Sequence, residues 1–210
     1  MREWLLRSTA GLPLAYRCFL VVVLANLVSS DGPEEDIFFE ILHPESLRYT
    51  FRVRPAREFG SPFAVQLSHV GLVLSEPLQG CGSFVNRLEL RDNAVLVERG
   101  GCSFLTKCVE VRRQGALALI VADSDPFNAD RYVDMRDDGT RRNCSIPAAF
   151  LLGRDGYMIR RGLEAHGLRR ALINIPVNVS GVSGQRLRQP PWLGWLAEWV
   201  ENAIRYLHGE

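Results

Sequence analysis

The chain has almost no lysine: Lys107 stands alone beside 24 Arg. Coding bias accounts for that imbalance, and no function is read from it. Net charge is also missing, at +1 for 210 residues, which argues against nucleic acid or anionic lipid as the main partner. No apolar run approaches the ~20 residues that span a bilayer; the longest extends from Cys18 to Val28. No C-x-x-C pair exists, so the usual spacing of structural zinc ligands is absent. G-x-S-x-G, H-E-x-x-H and a phosphate loop are absent as well, and with them the commonest signatures of hydrolases and nucleotide enzymes. Neither an internal repeat nor a low-complexity tract interrupts the chain.

What is present begins with a leader. Arg2, Arg7 and Arg17 precede the Cys18–Val28 run, and Ser29-Ser30 supply small residues after it. This reads as a signal peptide over residues 1–30, cleaved after Ser30, rather than as an uncleaved anchor. Its removal takes away three Arg and one Glu, so the formal charge moves from +1 to −1. Cys18 leaves with it, and Cys81, Cys102, Cys108 and Cys144 remain. An even number of cysteines in a secreted chain implies two disulfides with three possible connectivities. A bridge from Cys81 to Cys102 would cross one short strand and leave Cys108 and Cys144 for each other. Asn143-Cys144-Ser145 and Asn178-Val179-Ser180 are N-glycosylation acceptors, Asn178 being the better placed because Cys144 competes at the other.

The mature chain is organised around Ala94–Lys107. Ala94 to Val97 reads as a buried strand, Gly100-Gly101 as the turn that ends it, and Ser103 as the N-cap of a helix that stops at Gly115. Leu117 to Ala122 is the next strand. Upstream, strands are expected at Ile37–Leu42, Leu47–Val53 and Val65–Leu74. Downstream, a strand at Ile146–Leu152, a helix at Asp155–His166 closed by Gly167, and a strand at Ala171–Val179 follow. Met158, Ile159, Leu163 and His166 mark the apolar side of that helix, and His166 sits at its end, near the last carbonyls. The tally predicts an α/β (α+β) fold, a seven-stranded sandwich or partly closed barrel flanked by helices. After Pro190-Pro191, residues 192–210 form an amphipathic pattern with Trp192, Trp195 and Trp199 on one face. Docking on protein is preferred there over contact with a membrane interface, because the other face carries more Glu than Arg.

Candidate chemistry is sparse. The segment Asp123–Gly139 carries six aspartates, but an EF-hand would need an oxygen ligand at Phe127 and a glycine at Asn128; a solvated loop is the better reading. Cys102, at a helix start, is the obvious nucleophile, with His43, His69, His166 and His208 as the available bases. In an oxidising compartment Cys102 is expected to be bridged instead. Paired arginines such as Arg112-Arg113 and Arg160-Arg161 read as solvated helix faces rather than processing sites. No catalytic residue, metal or cofactor is assigned.

The run Ala94–Lys107, continued by Gln114-Gly115-Ala116-Leu117-Ala118-Leu119-Ile120-Val121, resembles the protease-associated (PA) domain. The pattern is a strand, R-G-x-C-x-F, a helix with Lys, and then G-A-x-A-x-I-V; the resemblance extends over about residues 47 to 178. It implies a non-catalytic domain that covers an active site or binds peptide segments, and a cysteine like Cys81 paired with one like Cys102. Residues 31–191 are then the PA domain with an N-terminal strand extension. The expected protein is a secreted glycoprotein that binds a protein or peptide of unknown identity. Glu98, Arg99, Gly100 and Gly101 form the candidate binding turn, because glycine leaves backbone groups accessible there. The alternatives are a cysteine- or metal-dependent hydrolase, or a peripheral protein held at a membrane by residues 192–210.

Overall fold

A computed structural model describes residues 36–180 and 187–191. The expected signal peptide, residues 1–30, and the expected amphipathic helix, residues 192–210, lie outside the described residues. Seven strands appear: β1 (Ile37–His43), β2 (Thr50–Pro55), β3 (Leu67–Leu74), β4 (Ala94–Glu98), β5 (Ala118–Ala122), β6 (Ala148–Leu151) and β7 (Arg170–Ile175). Three helices join them: α1 (Arg87–Leu90), α2 (Phe104–Arg113) and α3 (Gly153–Ala165). All seven expected strands are present. The short α1 was not anticipated, because a single helical turn has no period to detect. Leu47 does not open β2. It falls in a 3-10 turn, Glu45–Leu47, and the strand begins at Thr50.

The sheet closes fully, in the order β1-β2-β6-β5-β4-β3-β7. The expected seven-stranded α/β barrel flanked by helices is thus present, and it closes completely because β7 pairs antiparallel with both β1 and β3. β3, β4, β5 and β6 run parallel to one another, as the long crossovers between them, two carrying a helix and the β5–β6 one a loop, allow.

Strand alternation sorts the side chains into two cores. Phe39, Phe51, Leu96, Ile120, Leu151 and Ile173 belong to one cluster, in which Phe39 and Phe51 stack with centroids 5.0 Å apart. Their strand neighbours Val95, Val97, Leu119, Val121 and Phe150 belong to the other, together with Leu105, Cys108 and Val111 of α2. Full burial on both faces explains why β4 and β5 read as continuous apolar runs rather than as alternating ones.

The helices have the ends that the residues suggest. Ser103 Oγ accepts from the Thr106 N–H at 3.0 Å, and Gly115 past the end of α2 has φ +83°. α3 starts two residues earlier than Asp155. Ile159 and Leu163 are buried and Met158 packs beside them, but His166 is exposed and is not part of the apolar face. Its ring Nδ1 lies 2.7 Å from the Gly162 carbonyl, the helix-end position anticipated for it.

Candidate functional site

Because β3, β4 and β5 are parallel, their carboxyl ends finish side by side at Leu74, Glu98 and Ala122. The α3 N-terminus arrives beside them from β6. In parallel sheets, this end is where crevices form. Here it holds a cavity of about 100 Å³ lined by Leu78, Leu96, Pro126 and Tyr157, with Glu98, Asp123 and Arg160 among the polar residues. Gly153 is what lets α3 approach so closely: a Cβ on it would stand 1.9 Å from the Asp125 carbonyl oxygen.

Two ion pairs fix the polar side chains. Arg160 Nη1 lies 3.2 Å from Glu98 Oε2, with both side chains more than two-thirds covered. Arg99 Nη1 lies 3.3 Å from Asp123 Oδ1. Asp123 is nearly buried and also accepts from Asn128 Nδ2 at 2.6 Å. Glu98 and Arg99 therefore meet at the crevice, while Gly100 and Gly101 are exposed beyond them. The backbone of the turn is extensively used inside the molecule: Glu98 N–H donates to Leu78, Arg99 N–H donates to Ala122, and the Gly100 carbonyl accepts from Lys107.

Lys107 is the residue that the sequence reading passed over. The chain's one lysine is fully buried. It lies in the first turn of α2, and helical side chains lean toward the N-terminus, so its ammonium reaches back under the glycine turn. Nζ donates to the carbonyls of Gln79 and Gly100 and lies 3.5 Å from Cys81 Sγ. Burial pushes its pKa down to about 8, opposed by the Glu98 carboxylate. Its uniqueness among so many arginines was the available signal. A compact ammonium fits this cradle of carbonyls, whereas a planar guanidinium is shaped for carboxylate forks.

The cysteines pair as Cys81–Cys102 and Cys108–Cys144, with Cα–Cα separations of 5.8 and 5.9 Å. Cys102 is thus not a free nucleophile. The first bridge is half-buried at the turn, and Gly101 packs against Cys81 Sγ. The second lies in the outer core, with Cys108 and Cys144 almost wholly covered. Asn143 and Asn178 are both exposed.

The aspartates are held by local bonds. The Asp138 carboxylate accepts from Ser103 and Thr140 and pairs with Arg142 at 2.6 Å. The Ser103 and Thr140 hydroxyls hold it well below the usual carboxylate range. Among the described residues, no group of three or more His, Cys, Asp or Glu is placed to hold a metal ion.

The segment that builds this end of the barrel, residues 68–159, matches the family model of the PA domain. A PRADC1-like protein of Drosophila melanogaster is 43% identical over 162 residues, which cover 76% of this chain and 83% of that one. The chain belongs to the PA-domain family. ER degradation-enhancing alpha-mannosidase-like protein 3 of Xenopus laevis is 29% identical over 125 residues, which cover 57% of this chain but only 14% of that protein. Among solved structures, an aminopeptidase from Aneurinibacillus sp. strain AM-1 aligns with a TM-score of 0.46 at 18% identity. That alignment covers 68% of this chain and 30% of the enzyme.

Proposed function

We propose that this PA-domain protein is secreted, N-glycosylated and without catalysis of its own, and that it binds a protein or peptide segment at the crevice beside Glu98, Arg99, Gly100 and Gly101. The observation that carries this reading is the crevice itself, an apolar hollow at the carboxyl ends of parallel strands. Polar side chains there are already oriented by ion pairs, so little ordering cost falls on binding. Two disulfides support the secretory route, since such bridges persist in oxidising compartments. Bonding of Cys102 to Cys81 speaks against the cysteine-nucleophile alternative.

The test is affinity capture of partners from culture medium by the wild type and by Arg99→Ala combined with Tyr157→Ala. Both side chains are exposed, so the fold is expected to persist and near-UV circular dichroism to match. Partners held by the wild type should be lost from the double variant; full retention would remove the crevice as the binding site.

A further inference from the structure

The two disulfides differ in what surrounds them. Cys108 and Cys144 are 0% and 1% exposed, among apolar side chains. Cys81 and Cys102 are half-buried, at the mouth of the glycine turn. Among the described residues, a cation lies against Cys81: Lys107 Nζ is 3.5 Å from its sulfur. Lys107 is fully buried and cannot exchange this position for solvent without leaving the Gln79 and Gly100 carbonyls. Those two carbonyl oxygens also lie 3.5 and 3.6 Å from Cys81 Sγ, and Nζ binds both, so the ammonium offsets their negative ends. An adjacent cation stabilises a thiolate and lowers its pKa, and a thiol of lower pKa is the better leaving group in exchange.

We propose that Cys81–Cys102 is a site of thiol–disulfide exchange with dithiol reductants, small or protein, while Cys108–Cys144 is structural. The reductant's thiolate attacks Cys102 Sγ. The Cys81–Cys102 bond breaks, and its electron pair leaves on Cys81 as a thiolate facing the Lys107 ammonium. The reductant's second thiol loses its proton and attacks its own sulfur bound to Cys102. That step releases Cys102 as a thiolate, which takes up a proton, and the reductant departs as its cyclic or intramolecular disulfide. Two electrons pass to the protein. Opening unpins Gly101 from Cys81, so the bridge regulates the turn at which binding is proposed. The exchange chemistry itself does not depend on that binding role.

The experiment treats the full, oxidised protein with dithiothreitol at pH 7, then alkylates and maps modified cysteines by mass spectrometry. Cys81 and Cys102 should be alkylated at concentrations that leave Cys108 and Cys144 paired. Equal opening of both bridges, or earlier opening of Cys108–Cys144, overturns the proposal. Lys107→Met should slow opening of the first bridge by roughly threefold to tenfold; an unchanged or faster rate in a folded variant also overturns it. If Lys107→Met does not fold, the wild type still decides. In partially reduced protein, thiolate absorbance should show one of the two freed thiols titrating below the ordinary ~8.5 of a free cysteine. Values at or above that for both refute the role given to Lys107. Loss of partner capture on mild reduction would report separately on the binding proposal.

Discussion

Replacing Gly153 by Ala tests the packing that forms the crevice. A Cβ at this position would lie 1.9 Å from the Asp125 carbonyl oxygen, 2.8 Å from its carbonyl carbon and 3.2 Å from the Asp123 oxygen. Carbon and its neighbours sit comfortably at roughly 3.5–4.0 Å, so the Asp123–Asp125 backbone or the start of α3 must move by more than an ångström. Neither is free to do so. Asp123 is held by Arg99 and Asn128, the Arg154 N–H donates to the Asn128 carbonyl, and the next turn of α3 lies on Ala122 through Gly156. Overpacking of this kind costs about 1–3 kcal/mol. Alanine's better helix propensity returns at most about 1 kcal/mol in a helix interior, and less at the first helical residue. A net loss of about 2 kcal/mol should lower Tm by roughly 4–8 °C for a domain of this size. The control is Gly82→Ala, where an added Cβ meets nothing within 4 Å and a change within about 0.5 kcal/mol is expected. The assay is thermal unfolding of both variants beside the wild type by circular dichroism. If Gly153→Ala melts with the wild type, the close approach of α3 to the Asp-rich loop is not a constraint of the fold, and the crevice loses its wall.

Three further outcomes are expected. Removing the Cys108–Cys144 bridge by double substitution to Ala frees a loop closed across 36 positions, which costs about 3–4 kcal/mol in the chain-entropy account and should appear as a lower urea midpoint with a larger m-value. Lys107, held near pKa 8 against the ordinary 10.5 of a lysine, binds less proton folded than unfolded between those values. Its burial cost is therefore present in full below pH 8 and is relieved as pH rises toward 10.5. The stability of the wild type relative to Lys107→Met should accordingly climb between pH 8 and 10, by up to about 1.4 kcal/mol per pH unit; a flat or falling difference in urea unfolding would contradict it. Expression through a secretory route should give an endoglycosidase-sensitive mass on Asn178 that Asn178→Gln abolishes, with the Asn143 site used less because Cys144 beside it is bridged in the core.

Much of the fold could be read from local pattern. β4 and β5 appear as apolar runs because both faces are covered. α2 is bounded by Ser103 and Gly115 because a hydroxyl cap and a left-handed glycine are local chemistry, and seven strands were countable from their spacing. The site was legible only in part. Glu98 and Arg99 lie at the crevice, yet Leu78, Asp123 and the α3 pair Tyr157 and Arg160 come from three separate segments whose convergence no spacing expresses.

The amino-acid order by itself thus determined the elements, their ends and the family pattern, all of which depend on neighbours a few residues apart. Tertiary structure alone decided barrel closure, because β7 must meet both β1 and β3, residues about a hundred positions away or more in both cases. It also decided the fate of Lys107. A lone lysine in an arginine-rich chain looks incidental in one dimension. In three it is an ammonium sealed beneath a glycine turn against one disulfide, because the helix that carries it leans back over the strand end that precedes it.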